Sequence, residues 1–542
     1  MTIPARVHSI DDELTHLLGE GWSERDHLRW PPNIFAACWM LLEISGTYTR
    51  VLDGWPRRDS VQPWPAHARE VGHAWLACAI EFLSNRTSTP PPHVTASWEK
   101  VLTARAAPVD AIPDWTCDAL LELLAFADEA SAGFGLPLPE GLKNRQSHMD
   151  GFYRQVQIHL SATGSLAVGL PSASVCVLPK QHTPRYGLTM RSLSHHLAVF
   201  TGGEVKPVWS TPLPGGEGLN LLIVPWPFVV EPSQFSPTRC PHAQPVVPFQ
   251  CFDYSVRRAD ELIGDMAFED WLRSLFLAAS RDGERVHGVV FPEASLLGTD
   301  FLTVDKVALE FDAFVVAGVS STRPHDGMDR DFNEVWMTFG VDDRRGGRPF
   351  VQAKHHRWQL DSTQIATYGI DGSLDSSFRW WESTPVMPRE LNFMAAVDGM
   401  MTICCLICED LARQDPISRL VRAVGPNLVI ALLADGPQLE RRWPGRYATV
   451  LADDPGSAVL TVTSLGMAHL SRPRGVVDAG SVIALWKDPV TGSQEITLEP
   501  GAGAVLLTLK TTEFTEYTAD GRNDGGAAGF PTLTAKCSIF VN

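Results

Sequence analysis

Three stretches near the N-terminus carry apolar residues at spacings of three and four, the period of an α-helix. They are IFAACWMLLEISGTYTRVL (34–52), HAREVGHAWLACAIEFL (67–83) and DWTCDALLELLAFADEA (114–130). Proline-rich breaks, WPRRDSVQPWP and STPPPH, separate them. The pattern predicts a mainly helical domain over residues 1–150. Trp30, Trp39, Trp55, Trp64, Trp75, Trp98 and Trp115 all fall in it. Rings at helical spacing usually fill a core, the alternative being a groove for a partner or a base. From 151 to 217 the runs shorten to SLAVGL, SVCVLP, YGLTMRS and HHLAVF, which predict a β-rich connecting segment. From Leu219, where LNLLIVPWP reads as a first buried strand, apolar strands alternate with amphipathic stretches such as DELIGDMAFEDWLRSLFLAASRDG (260–283). That alternation predicts a layered α/β domain over 218–520. The remainder, 521–542, reads as a tail. ADGRNDGGAAGF looks like a flexible connector, and CSIFVN is an apolar end that docks elsewhere.

Composition narrows the function classes. The chain has 45 Lys and Arg against 63 Asp and Glu, a net charge of −18, which disfavours sequence-independent binding to nucleic acid, since that depends on neutralising phosphates. The N-terminus, MTIPARVHSIDDELTHL, has no apolar signal core. The longest apolar runs, LLIVPWPFVV and LVIALLA, fall well short of the roughly 20 residues of a membrane span. A soluble cytoplasmic protein is expected. The ten cysteines follow no framework spacing, so reduced thiols are expected. Cys404, Cys405 and Cys408 lie close together, but no downstream Cys or His pair completes a metal site. No metal and no cofactor is expected.

The candidate chemistry sits at three strand ends. GVVFPEASLLG carries Glu293, FVQAKHHRWQL carries Lys354 and MMTICCLICEDLAR carries Cys408. Pro292 lacks a ladder donor and forces the chain out of regular pairing just before Glu293. The run TICCLI meets a polar turn at Cys408-Glu409-Asp410. A thiol, a carboxylate and an ammonium are what acyl transfer from an amide requires: a nucleophile, a base for its proton and a cation for the oxyanion. Read singly, each has a plain alternative: a small buried hydrophobe, a strand's exit to water, a surface lysine.

Their order and spacing (354 − 293 = 61 and 408 − 354 = 54 residues) resemble the nitrilase superfamily of carbon–nitrogen hydrolases. The matching motifs are Pro292-Glu293, the segment Gln352-Ala353-Lys354-His355-His356, and the turn Cys408-Glu409-Asp410. Asn333 opening NEVWMTFG, the strand-like GPNLVIALLAD, Arg446-Tyr447-Ala448 and TVTSLG ending at Gly466 sit where the family has similar features. The resemblance covers residues 218 to 512. It implies an αββα sandwich and a Cys408 acyl-enzyme, with Glu293 as base and the oxyanion held by Lys354 and the backbone N–H of Glu409. The expected substrate is a small molecule with a non-peptide C–N bond of amide, ureido or glutamine type, and the expected assembly a homodimer or higher oligomer. The family also uses a second glutamate about 8 to 11 residues after the lysine. Residues 355–381 contain no glutamate, so Asp361 is the expected substitute, with Asp371 and Glu382 further on. Two alternatives stay open. One is acyl transfer to an amine. The other is a catalytically altered module with a binding or assembly role, as in prokaryotic defence systems, its N-terminal domain meeting a protein partner.

Overall fold

The computed structural model describes residues 8–20, 22, 27–56, 63–85, 88–136, 147–210, 218–239, 249–261, 263, 266–281, 285–325, 327–338, 349–396, 401–471, 478–524 and 528–541. Parts of the segments read above, among them 57–62 of the first proline-rich break and 525–527 of the tail, lie outside the described residues.

Two seven-stranded sheets face each other. The first runs, in spatial order, Phe350–Ala353, Met328–Thr338, Phe314–His325, Gly288–Leu297, Gly218–Ile223, Ala504–Phe514, Ala528–Ile539. The second runs Gly492–Thr497, Val482–Asp488, Ala458–Thr463, Leu428–Leu433, Met401–Ile407, Glu390–Ala396, Lys206–Ser210. Successive side chains on a strand point to opposite faces, and the core divides accordingly. Val290, Val316, Val335 and Met337 meet the second sheet's Ile403, Leu428 and Leu460 in the central layer. Val289, Phe291, Val315 and Ala317 face outward onto the helices Phe268–Ala279 and Gly298–Glu310. Helices Arg419–Val424 and Trp443–Asp453 cover the second sheet with Leu420, Val424 and Ala448. This is an αββα sandwich. A third, four-stranded sheet of Gln359–Leu360, Arg379–Glu382, Phe249–Tyr254 and Phe235–Thr238 adds its own cluster around Phe252, Trp358 and Trp380.

The N-terminal region is helical: Pro31–Ser45, Trp64–Asn85, Pro92–Thr103, Asp114–Ala130 and Ser147–Thr163. Trp30, Trp39, Trp75 and Trp98 are buried in its core, while Trp115 is exposed. Its apolar core is continuous with that of the sandwich.

Three sequence expectations are corrected. Of the β-like runs in 151–217, only Val175–Pro179 and Leu197–Thr201 pair as a hairpin, and Lys206–Ser210 is the edge strand of the second sheet. Among the described residues of the stretch 260–283, the α-helix runs from Phe268 to Ala279. The tail beyond 520 contains Ala528–Ile539, which closes the first sheet by antiparallel pairing with Ala504–Phe514. Edge strands pair on one side only, and short or polar ones carry little periodic signal. The expectation of reduced thiols also needs amending. Cys251 is disulfide-bonded, whereas the other described cysteines are free. A single bridge leaves no framework spacing to read. Among the described residues no helix is long and apolar enough to cross a membrane.

Candidate active site

Glu293 stands on a built irregularity. The strand Gly288–Leu297 pairs in parallel with Phe314–His325 up to Phe291 and resumes at Leu296. Between them Pro292 to Ser295 bulge out, with Ala294 at φ 45°. A Cβ on Gly318 of the neighbouring strand would lie 2.2 Å from the Pro292 carbonyl oxygen and 2.5 Å from the Glu293 Cα. Only glycine lets the bulge approach that closely. The bulge turns the carboxylate of Glu293 inward, where it is almost fully buried.

Lys354 follows the edge strand Phe350–Ala353 and is also buried. Its Nζ donates to Glu293 Oε1 at 2.7 Å and to Glu382 Oε2 at 2.7 Å. Asn333 bridges the same pair, its Nδ2 donating to Glu293 Oε1 at 2.8 Å and to Glu382 Oε1 at 2.8 Å. The other Glu293 oxygen accepts the Ala434 N–H at 2.6 Å, and Glu382 Oε2 accepts the Trp358 N–H at 3.0 Å. An ammonium has three donors; two are taken here, which leaves the third for a ligand.

Cys408 ends the strand Met401–Ile407 and opens the turn Cys408–Leu411 at φ 48°, a left-handed conformation unusual for a side-chain-bearing residue. Such a conformation costs roughly 1–3 kcal/mol and persists only where its surroundings enforce it. Asp410 does so. Its buried carboxylate accepts the His355 N–H at 3.2 Å and faces His355 Nδ1 at 3.0 Å and His356 Nδ1 at 2.8 Å. The far ring nitrogens face the carbonyls of Glu390 at 3.0 Å and Asp415 at 2.8 Å. The two histidines directly after Lys354 thus clamp the turn that carries Cys408.

Charge follows from this arrangement. Burial works against the Lys354 ammonium, but Glu293 and Glu382 outweigh it and hold its pKa well above that of a free lysine. Burial pushes the Glu293 carboxyl up, and Glu382 adds to the rise while Lys354 opposes it. Burial also pushes the Cys408 thiol well up, Glu293 pushes in the same direction, and Lys354 pulls it down. Both shifts act in the same sense, favouring the protonated forms of the thiol and of the Glu293 carboxyl. Asp410 is held well below the ordinary carboxylate range: burial opposes this, and His355 and His356 outweigh it. A carboxylate depressed in this way contributes stability above its unfolded pKa of about 3.9, and that contribution is lost as the pH falls through the folded value. Asp410→Asn is therefore expected to lower the urea midpoint at neutral pH, with the gap to the parent closing from about pH 4 downward. Urea titrations across that range check this, and a gap independent of pH would contradict it.

The structure places the sequence-derived candidates as follows. Glu293 and Lys354 are in direct contact, and both charges act on the Cys408 thiol. The Glu409 carboxylate turns away to Arg413 at 2.5 Å, and its N–H is next in chain after Cys408. Asp361 is not at the site. It is the N-cap of the helix Ser362–Tyr368, its side chain accepting the Gln364 N–H at 2.9 Å. The lysine's second carboxylate is Glu382, 28 residues after it. It ends a strand of the third sheet, whereas Glu293 lies at a bulge inside one of the first, and RWWE is a β-like run closing in an acid. That was the available signal. Asn333 was singled out as a strand opener, but not as the bridge between two carboxylates.

A small open cleft, with about 30 Å3 of room, reaches the network from the third sheet, lined by Phe252, Asp253, Asp331, Asn333, Glu382 and Thr384 among others. Among the described residues, no group of three or more His, Cys, Asp or Glu side chains is arranged to hold a metal ion.

No family model and no curated protein matches the chain. Among solved structures it is similar to Nit3 of Saccharomyces cerevisiae, a member of the nitrilase superfamily, at 13% identity over 56% of this chain and 92% of that one, with a TM-score of 0.33. It is similar to an amidase from Nesterenkonia sp. at 12% identity, covering 55% and 92%, with a TM-score of 0.33. A carbon–nitrogen hydrolase from Helicobacter pylori matches at 10% identity, covering 52% and 86%, with a TM-score of 0.31.

Proposed function

We propose that this chain is a thiol-dependent hydrolase of a non-peptide C–N bond. The observation that carries the reading is the buried Glu293–Lys354–Glu382 array beside a cysteine held in a left-handed turn. The Cys408 sulfur attacks the substrate carbonyl carbon while its proton passes to Glu293. The oxyanion is held by the third N–H of Lys354 and the Glu409 N–H. Collapse of the adduct breaks the C–N bond, the leaving amine takes the proton from Glu293, and a thioester remains. Water, deprotonated by Glu293, then attacks the thioester. The C–S bond breaks, the acid departs and the sulfur regains its proton. Glu382 and Asn333 hold Lys354 and Glu293 in place throughout.

Iodoacetamide is a suitable probe, because it presents a primary amide next to its reactive carbon. Cys537 is exposed and would label on accessibility alone, so the test uses Cys537→Ser protein. Cys408 is expected to label well ahead of Cys404 and Cys405, which share its strand and its burial but have no base beside them. Peptide mass mapping gives the order. Labelling of all three at one rate, as global unfolding produces, would remove the hydrolase reading and leave a binding module.

A further inference from the structure

The amide of Asn333 can point only one way. Its NH2 group faces carboxylate oxygens of both Glu293 and Glu382, so the carbonyl oxygen must occupy the other side. That Oδ1 is buried and has no partner, and Asn333 lines the cleft described above. A buried acceptor left open costs about 1–3 kcal/mol, so a ligand that donates to it is favoured. The rest of the lining is also rich in acceptors. Asp253 takes the Ser383 hydroxyl and Asp331 the Thr322 hydroxyl, and neither has a cationic partner among the described residues. Glu382 forms the floor. Three nearby cations are engaged elsewhere in the network or beside it. Lys354 pairs with Glu382 at 2.7 Å. Arg323 pairs with Glu334 at 2.6 Å while stacking on Phe332, and Arg357 donates to the Thr384 carbonyl at 2.9 Å. Phe252 and Phe332 supply apolar walls. An open acceptor, two carboxylates without a cationic partner among the described residues and small size select one class of ligand.

We propose that this cleft is a subsite for a small ammonium group bearing N–H donors and, resting on the hydrolase reading above, that it receives the amine side of the scissile C–N bond. Its occupant is linked to the base through Asn333, which carries the ligand on Oδ1 and donates to Glu293 from Nδ2. An amine released after taking the proton from Glu293 gains another proton in water, and as an ammonium it finds acceptors here.

The test compares methylammonium chloride with tetramethylammonium chloride at equal ionic strength on the full chain. Both carry one positive charge, but only the first has N–H donors. Methylammonium is expected to raise the thermal unfolding midpoint saturably, as a ligand of the folded state does, and tetramethylammonium to leave it unchanged. Asp253→Asn is expected to weaken the apparent affinity about tenfold, the scale of one charge-assisted hydrogen bond. The same effect from both salts, or an unaltered response in Asp253→Asn, overturns the subsite. Because this readout needs no turnover, it stands apart from failure of the hydrolase reading, and Cys408→Ala is expected to retain it. The amine-side assignment has its own arm. Methylammonium should slow iodoacetamide labelling of Cys408 with the midpoint of the thermal response. Saturable binding without that slowing overturns the assignment.

Discussion

Lys354→Met is expected to cost about 3–5 kcal/mol of stability at neutral pH, the usual penalty for removing one partner of a buried ion pair. The ammonium holds two carboxylates, Glu293 and Glu382, in a region with almost no solvent. Without it Glu293 loses the group that opposes its raised pKa, and protonation becomes the cheapest relief. The sign of the pH dependence follows. A carboxyl whose folded pKa is raised favours the folded state below its unfolded value of about 4.3 and loses that advantage as the pH rises through the folded pKa. The deficit of the variant should therefore shrink as the pH falls from neutrality toward that unfolded value, visible in urea midpoints. Glu293→Gln and Glu382→Gln added to Lys354→Met should recover much of the loss, since removing a whole buried ionic group is often near neutral. Cys408 labelling should not recover, because base and cation are both gone. A deficit that persists in the triple variant would show that the array packs rather than pairs.

Much of this site could be read from the chain because each reactive side chain follows a strongly apolar run. GVVFP, PFVQA and TICCLI all announce burial, and the charged or thiol residue that follows each gains its weight from the other two, in that order. Pro292 flagged the bulge, although Gly318, which makes room for it, sits on another strand and carries no local signal. Asp361 is the nearer acid to Lys354 along the chain, but Glu382 is the one that meets it in space. The helix Ser362–Tyr368 and its flanking loops fill the interval, and Asp361 was needed to cap that helix. The clamp of His355 and His356 on Asp410 is likewise a pairing across 55 and 54 residues. Periodicity reports which face of an element is apolar. It does not report which buried charge answers which.

Arg522 shows the same limit on a larger scale, in a segment whose composition reads as a loose connector. Its guanidinium is fully buried among three carboxylates. Nη1 donates to Asp128 Oδ2 and Glu129 Oε1 at 2.9 Å each, Nε to Asp520 Oδ2 at 2.9 Å, and Nη2 to the Leu193 carbonyl at 2.6 Å. Asp128 in turn accepts the N–H groups of His195, His196 and Leu197, fixing the start of the strand Leu197–Thr201. One side chain thus joins the helix Asp114–Ala130, the hairpin behind it and the chain leading into the edge strand Ala528–Ile539. Burial would raise the Asp128 pKa, but Arg522, with the two histidines and the backbone donor, holds it down to about 2. Arg522→Leu should cost about 3–5 kcal/mol, since it strands buried carboxylates. Arg522→Lys should restore only part of this, because a point charge cannot reproduce donors fanned to four partners. The parent loses the Asp128 contribution as the pH falls from about 4 through about 2, whereas Arg522→Leu, with nothing left to hold that carboxyl down, should be the flatter of the two over this range. Limited proteolysis should cut Arg522→Leu first in the segment before Ala528, releasing the edge strand ahead of the sandwich. A variant cut there no faster than the parent, with an unchanged acid limb, would mean that the buried cluster is not what ties the C-terminal strand to the helical region.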